Sequence, residues 1–364
     1  MRLLFAAAAR STNTRSFIEA FAARGHEVHV ATLHPGPLLG ATVHELGRSE
    51  RGLSRLAFAN AVPALRGLHR ALRPDLTIGY YASSYGVLAA FVPPPRIVVT
   101  AGGDVLEDAQ ESTLRRFAVP RVAGLALRRA DLVVCWAPHL EDAVASLGIP
   151  RSRILTLPRG IDVGSFRPEG DAGRGSGRIV STRALGPFYR PDVLLDAFLA
   201  LRDRGIGARL DLVGDGPLAA ALAGRAAASA HAADVAFPGR LDPARLAEHL
   251  RLCEVYASVS PSDGVSASLL EAMATGLVPV VTDLATNRAW VDDGVNGLLV
   301  PEPVTPARVA EALARALTDR DLAERARAEN PRRVRDRADR AVNVVRFEEA
   351  FLEVVRRCVG LRRA

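Results

Sequence analysis

The 364-residue chain contains no lysine: its 47 fixed side-chain cations are all arginines, set against 40 acidic residues for a net charge of +7. Any site that would use a compact ammonium must use a planar guanidinium instead, or do without. Cysteine is scarce too, with only Cys135, Cys253 and Cys358, and these lie far apart. No Cys-x-x-Cys pair and no histidine cluster supplies metal-ligand spacing, so no metal is expected and the thiols read as buried, in a reducing compartment. Long apolar runs are missing as well. The only N-terminal one, residues 3–9, is cut by Arg10 and followed by polar residues 11–15, too short for a membrane span and poorly built as a signal peptide. A cytoplasmic protein is expected. Aromatics reach only 5% and do not interleave with the arginines, which argues against nucleic acid as a partner despite the basic charge. No Gly-x-Gly-x-x-Gly follows the first apolar run, so a nicotinamide-dependent dehydrogenase fits poorly.

What is present is a globular composition, 49% hydrophobic and 24% charged, and a length that suggests two domains at about 150 residues each. The charge surplus belongs to one half, since residues 1–175 hold 21 arginines and 15 acids and the remainder holds 26 and 25.

Short apolar runs alternate with helical stretches. Residues 3–7, 27–32, 76–79, 97–100 and 132–135 read as strands, and residues 15–23 as a helix. Residues 167–177 (RPEGDAGRGSG) then interrupt the pattern with four glycines and a proline, the composition of a linker. The alternation resumes with strands at 178–181, 209–213, 235–237, 255–259, 278–281 and 298–300. A closing helical tract covers about 306–357, in which Pro331 is expected to start a new helix. The expected organisation is an α/β N-terminal domain over 1–166, a linker over 167–177, a second α/β domain over 178–340 and a C-terminal helix over 341–364. Open parallel sheets bind ligands outside the carboxyl ends of their strands, so two such domains would face each other across a cleft.

The most informative stretch runs from Pro261 through Ser262-Asp263-Gly264-Val265-Ser266-Ala267-Ser268-Leu269-Leu270-Glu271-Ala272-Met273-Ala274-Thr275-Gly276 into the strand at 278–281. A strand ends, a polar turn follows, and a helix starts near Ser266. Asp263 is thereby placed at the sheet edge and Glu271 on the helix, with the unpaired N–H groups of residues 264–268 between them, a ready anion site. The plainer reading of Ser268 to Glu271 is a capping box.

Here the sequence resembles the retaining family 4 glycosyltransferases of the GT-B class, whose signature is two acids separated by seven residues, then Ala-Met-Ala-x-Gly and a proline-containing strand. The resemblance implies a GT-B fold of two Rossmann-like domains, with the C-terminal helix returning toward the N-terminal domain. It also implies that Asp263, where a glutamate is usual, contacts the donor sugar and that Glu271 holds the ribose hydroxyls. Val213-Gly214-Asp215-Gly216-Pro217 looks like the family's donor-side turn, Phe237-Pro238-Gly239-Arg240 like the loop flanking the nucleobase, and Leu157 to Pro168 like the segment leading into the second domain. In the family an arginine and a later lysine neutralise the donor diphosphate in place of a metal. Arg183 matches the arginine, and Arg190 is assigned as the lysine's substitute with Tyr189 as the other candidate. On the acceptor side the resemblance fades: Ala101 stands where a histidine is frequent, leaving Gly102, Gly103 and Asp104 as a turn, and Asn13 lies in a first loop that lacks the usual paired glycines.

The activity so implied is metal-independent, retaining transfer of a hexosyl unit from a UDP- or GDP-sugar to a glycan, lipid-linked or small-molecule acceptor, with no cofactor. The alternatives are a non-catalytic nucleotide-binding relative and a sugar-nucleotide epimerase of the same architecture. Asp319-Arg320-Asp321 has a metal-binding acid-x-acid pattern but follows no strand, and reads as a helix start. Between residues 51 and 73, Leu53, Leu56, Phe58, Ala61, Leu65, Leu68 and Leu72 outline an amphipathic helix rich in arginine (Arg51, Arg55, Arg66, Arg70, Arg73). It reads as a core helix with a solvated face, or as a peripheral contact with the inner face of the membrane.

Overall fold

The structure, a computed structural model, describes residues 1–47, 55–100, 113–171 and 173–361. It comprises two compact units, Met1–Arg159 together with Ala341–Ala364, and Gly160–Arg340.

Unit 1 is built on β1 (Arg2–Ala6), β2 (Glu27–Thr32), β3 (Ala41–Glu45), β4 (Leu76–Tyr80), β5 (Arg96–Thr100), β6 (Leu132–Cys135) and β7 (Ile154–Thr156). These strands form one parallel sheet in the order β3-β2-β1-β4-β5-β6-β7. Its helices are α1 (Thr12–Ala23), α2 (Arg55–Leu72), α3 (Gly86–Ala89), α4 (Thr113–Arg129) and α5 (Pro138–Ser146). β4 is buried at every position, as expected of a central strand covered by helices on both faces. The edge strands β3 and β7 were not expected. β3 mixes exposed and half-buried positions and β7 has only three residues, so neither carries the apolar run that marks the interior strands.

Unit 2 repeats the design with β8 (Arg178–Ser181), β9 (Arg209–Val213), β10 (Val235–Gly239), β11 (Val255–Ser258), β12 (Val278–Thr282) and β13 (Leu298–Val300), in the order β10-β9-β8-β11-β12-β13. Around them lie α6 (Pro191–Asp203), α7 (Ala219–Ala227), α8 (Pro243–Arg251), α9 (Ala267–Ala274), α10 (Ala285–Arg288), α11 (Pro306–Thr318) and α12 (Arg320–Ala338). The period-2 alternation of a strand divides the core. Ile179, Val255 and Ala257 join Leu194, Phe198 and Leu313 on one face, whereas Val180 and Tyr256 join Leu269 and Met273 on the other. In both sheets the chain starts in the middle and the strand order reverses, between β1 and β4 and between β8 and β11. The carboxyl ends flanking such a reversal are where ligands of this fold class bind.

The last helix, α13 (Arg340–Leu361), belongs to unit 1 from residue 341 onward. Phe347 packs edge-on against Phe17 and Phe351 stacks on Phe21, at centroid separations of 5.1 and 5.4 Å. Each such pair contributes about 0.5–1.5 kcal/mol beyond its buried area. Glu348 adds an ion pair to Arg24 at 2.5 Å and a hydrogen bond with His26 Nε2 at 3.0 Å.

Three expectations are corrected. The first unit ends at Arg159 rather than 166, and the glycine-rich 167–177 stretch is part of unit 2 instead of a connector. Gly173, at φ +77°, lies so close to the end of α8 that a Cβ would stand 2.5 Å from the carbonyl oxygens of Arg251 and Cys253. Glycine there serves close packing, and composition alone does not separate that use from flexibility. Pro331 lies inside α12 and starts nothing. The helix carries through it, and the preceding Asn330, fully buried, donates to the Leu277 and Asn296 carbonyls and accepts from the Asn296 amide. Asp319 does cap α12, accepting from the Leu322 N–H at 2.9 Å. All three cysteines are buried and free, and burial, followed by the field of Asp211, pushes the Cys253 thiol up to about 12.

Candidate functional site

The two strands flanking the reversal in unit 2 end in different loops. β8 leads through Thr182 into Arg183, and β11 leads through residues 259–265 to the start of α9. Ser266 is the N-cap of α9: its backbone is extended and its Oγ accepts from the Leu269 N–H at 3.3 Å. Ser268 lies within the helix, so a capping box starting there is not formed. The N–H groups of the first turn that precede Leu269 lie outside the helical ladder, as at any helix start.

Arg183 reaches across to this helix start. Its Nη1 donates to Ser266 Oγ at 2.7 Å and to Ser268 Oγ at 3.1 Å, while Nη2 pairs with Asp263 Oδ2 at 2.9 Å. Tyr256, buried on β11, hydrogen-bonds Ser268 Oγ at 2.8 Å, and the Tyr189 ring covers the guanidinium at 4.4 Å. The Arg183 and Asp263 side chains are only 12% and 15% exposed. Burial would lower the guanidinium, but Asp263, Tyr256 and Tyr189 more than offset it and leave it raised. For Asp263 the balance tips the other way: burial raises the carboxyl above its ordinary value, and Arg183, Ser266 and the Gly264 N–H recover only part. The arginine stays charged through either influence, and three donors converge on Asp263. Arg183 Nε and Thr182 Oγ1 are buried without a hydrogen-bond partner.

The neighbouring loops interlock with this one. Gly214, at φ +150°, leaves only 2.6 Å between a hypothetical Cβ and the Arg183 carbonyl oxygen, and Gly216 only 2.5 Å to that of Leu185. Leu185 N donates to Asp215 O at 3.0 Å and Gly214 N to Gly239 O at 2.9 Å, so the turns after β8, β9 and β10 form one hydrogen-bonded edge. Arg240 follows β10 exposed, Gly264 and Val265 are half-buried in the turn before α9, and Ala267 is its first helical residue. Glu271 lies half-buried on the same helix. Arg190 is held differently. It occupies a left-handed conformation (φ 48°) at the N-cap of α6, and its Nη1 pairs with Glu302 Oε1 at 3.1 Å. The structure therefore brings together Arg183, Tyr189, Asp263, Ser266 and Ser268, and gives Arg190 another partner.

Residues 178–319 match the family Glycosyl transferases group 1, and residues 11–165 match Glycosyltransferase Family 4. The chain belongs to the group 1, family 4 glycosyltransferases. A GDP-mannose-dependent alpha-(1-6)-phosphatidylinositol monomannoside mannosyltransferase of Mycobacterium tuberculosis is 30% identical over 223 residues, covering 56% of this chain and 57% of that protein. EpsF of Bacillus subtilis is 34% identical over 179 residues, 46% of this chain and 45% of its own. The matched stretch spans about half the length of these curated relatives. Among solved structures, Alr3699/HepE of Anabaena in complex with UDP superposes with a TM-score of 0.77 over 97% of this chain and 100% of that one, at 17% identity. Sucrose-phosphate synthase of Thermosynechococcus elongatus reaches 0.79 over 97% and 98%, also at 17%. These likenesses establish the GT-B fold.

Of the acceptor-side residues expected for such a glycosyltransferase, Asn13 lies in the first turn of α1, while Gly102, Gly103 and Asp104 lie outside the described residues. Ser11 holds the N-cap position of α1 but makes no side-chain cap bond. The reversal in unit 1 has features that sequence reading passed over. Tyr81, directly after β4, has φ 68°, rare for a bulky residue, and opens a short π-helix. Trp136 Nε1 and His139 Nδ1, just beyond β6, and Thr14 Oγ1, beyond β1, are buried without hydrogen-bond partners. Burial lowers the His139 imidazole, which favours its neutral form. Only strain and unsatisfied atoms reveal these residues, and neither is visible in one-letter code.

Proposed function

We propose that the chain is a retaining, metal-independent hexosyltransferase that draws on a nucleoside-diphosphate sugar. The observation that carries this reading is the grip of Arg183 on the N-terminus of α9, which gathers a buried guanidinium and free backbone N–H groups at one strand reversal. Charge developing on a leaving diphosphate would be stabilised there without a metal. In the proposed step the bond from the sugar's anomeric carbon to the diphosphate oxygen breaks and the acceptor oxygen bonds to that carbon on the same face. The acceptor's proton passes to the departing diphosphate, so no protein nucleophile is required.

Glu271 takes the ribose hydroxyls, and the turns at Gly214, Asp215 and Gly216 and at Gly239 and Arg240 flank the nucleotide. Asp263, shorter than glutamate by one methylene and committed to Arg183, Ser266 and Gly264, acts as a positioning residue for Arg183. The GDP-mannose dependence of the mycobacterial relatives puts GDP-mannose first among donors, and their phosphatidylinositol acceptors put a lipid-linked acceptor first. Peripheral contact with an anionic membrane fits a groove of about 570 Å³ in unit 1 lined by Arg66, Arg70, Arg96 and Arg129 around Phe91. Arg66 and Arg129 stand 6.0 and 5.5 Å from that ring. No helix among the described residues is long and apolar enough to cross a membrane.

Mass spectrometry of the purified protein with GDP-, UDP- and ADP-sugars tests the proposal through slow donor hydrolysis. Release of a nucleoside diphosphate from one donor is expected. Binding without release would identify a non-catalytic relative, and a change of sugar configuration on an intact donor would identify an epimerase.

A further inference from the structure

On the sheet face beneath α8, remote in sequence from the loops just described, three side chains of metal-ligand type meet. Asp211 projects from the middle of β9, His249 from the last turn of α8, and Cys253 from just beyond that helix. One ligand atom from each lies within 4.8 Å of the other two, the one such group of three among the described residues. Residue Asp211 is 4% exposed and Cys253 3%. A carboxylate in the interior of a central strand is costly unless something satisfies it.

The protein's own groups do so incompletely. His249 Nε2 is 2.9 Å from Asp211 Oδ2, and Arg178 Nε is 3.5 Å from the same oxygen. Yet both Oδ2 and Nε2 are buried with no hydrogen-bond partner, because the imidazole does not aim its N–H along the line to the carboxylate. The two atoms are close but misaligned for each other. Cys253 Sγ, whose S–H donates to the His249 backbone carbonyl at 3.2 Å, supplies the third ligand atom.

We propose that Asp211, His249 and Cys253 form a binding site for a zinc ion, which ties the end of α8 to β9. Carboxylate, imidazole and thiolate are the donor set that a tetrahedral, borderline-soft cation takes, with a water as fourth ligand. Binding replaces the Cys253 S–H bond by a sulfur–zinc bond and releases the proton to solvent. The ends of the site are fixed by the sheet and by the packed 173–177 segment, so the ion adds to a frame that already exists. The site plays no part in the transfer step, and its test does not involve a donor sugar.

The chelator-treated full chain is titrated with zinc sulfate by calorimetry and with cobalt(II) by absorption. One zinc per chain is expected, together with a thiolate-to-cobalt charge-transfer band and a zinc-dependent rise in the melting midpoint. Cys253→Ala should abolish the band, and Cys253→Ala and His249→Gln should each weaken zinc binding by about tenfold or more. Substoichiometric binding by the wild-type chain, a cobalt complex lacking the band, or affinity unchanged in both variants would overturn the assignment. The wild-type stoichiometry decides the matter even if a variant folds poorly.

Discussion

Replacing Arg183 with methionine should reveal how much of the site's order rests on one ion pair. The substitution keeps an apolar stem of similar length under Tyr189 but strips Asp263 of its 2.9 Å partner and Ser266 and Ser268 of their donor. With Asp263 only 15% exposed, the carboxylate is left in a dry site with the Gly264 N–H and Ser266 alone. Losing one partner of a buried pair costs about 3–5 kcal/mol. For a unit of this size, at roughly 2–4 °C per kcal/mol, the melting midpoint should fall by about 6–20 °C. Arg183→Met combined with Asp263→Asn should recover a large part of that, since the amide carries no charge to strand.

The pH dependence supplies an independent check. The Asp263 carboxyl is already raised in the folded wild type, chiefly by burial. A group raised on folding gives its full stabilisation below its unfolded value, about 3.9, and loses it as pH rises through the folded one. Without Arg183 the carboxyl rises further, so the deficit of Arg183→Met should be small near pH 4 and grow toward pH 7. Urea unfolding of the wild type, both single variants and the double variant at several pH values measures this. A deficit below about 1 kcal/mol at pH 7, or one that does not change between pH 4 and 7, would refute the account of a buried pair.

Glu271→Ala should lower kcat/KM by the equivalent of about 2–4 kcal/mol while shifting the melting midpoint little; near-normal turnover with a large loss of stability would give the carboxylate a structural role instead. Activity should persist in excess EDTA, and a loss restored by magnesium or manganese would disprove metal-independent transfer. Gly214→Ala should destabilise unit 2 by about 1–3 kcal/mol and weaken donor binding, because the Cβ would sit 2.6 Å from the Arg183 carbonyl at φ +150°, and an unchanged donor Kd would separate this turn from the site. Vesicles containing anionic lipid should bind the protein at low salt, with Arg66→Gln, Arg70→Gln and Arg129→Gln each reducing binding about fivefold; equal binding by the triple variant would leave a soluble acceptor as the better reading.

Sequence made the fold legible where burial on both sides of a sheet forces continuous apolar runs, as in β4 and β8, and failed at β3 and β7, whose edge positions relax that demand. At the site, what could be read was chemistry tied to local backbone: a strand end, a cap at Ser266, and the glycines that admit the Arg183 and Leu185 carbonyls. What could not be read was which charge meets which. The absence of lysine led to Arg190 as the second cation by proximity in the chain. In the structure Arg190 stands at the head of α6 and pairs with Glu302, more than a hundred residues away. The same blindness applies to Asp211, His249 and Cys253. His249 and Cys253 are four apart, a spacing that places two ligands one turn apart, but their third partner arrives from a strand nearly forty residues earlier. A single cation-rich loop or a single His-x-x-x-Cys therefore says little, and only the register of β9 under α8 turns the latter into a candidate site.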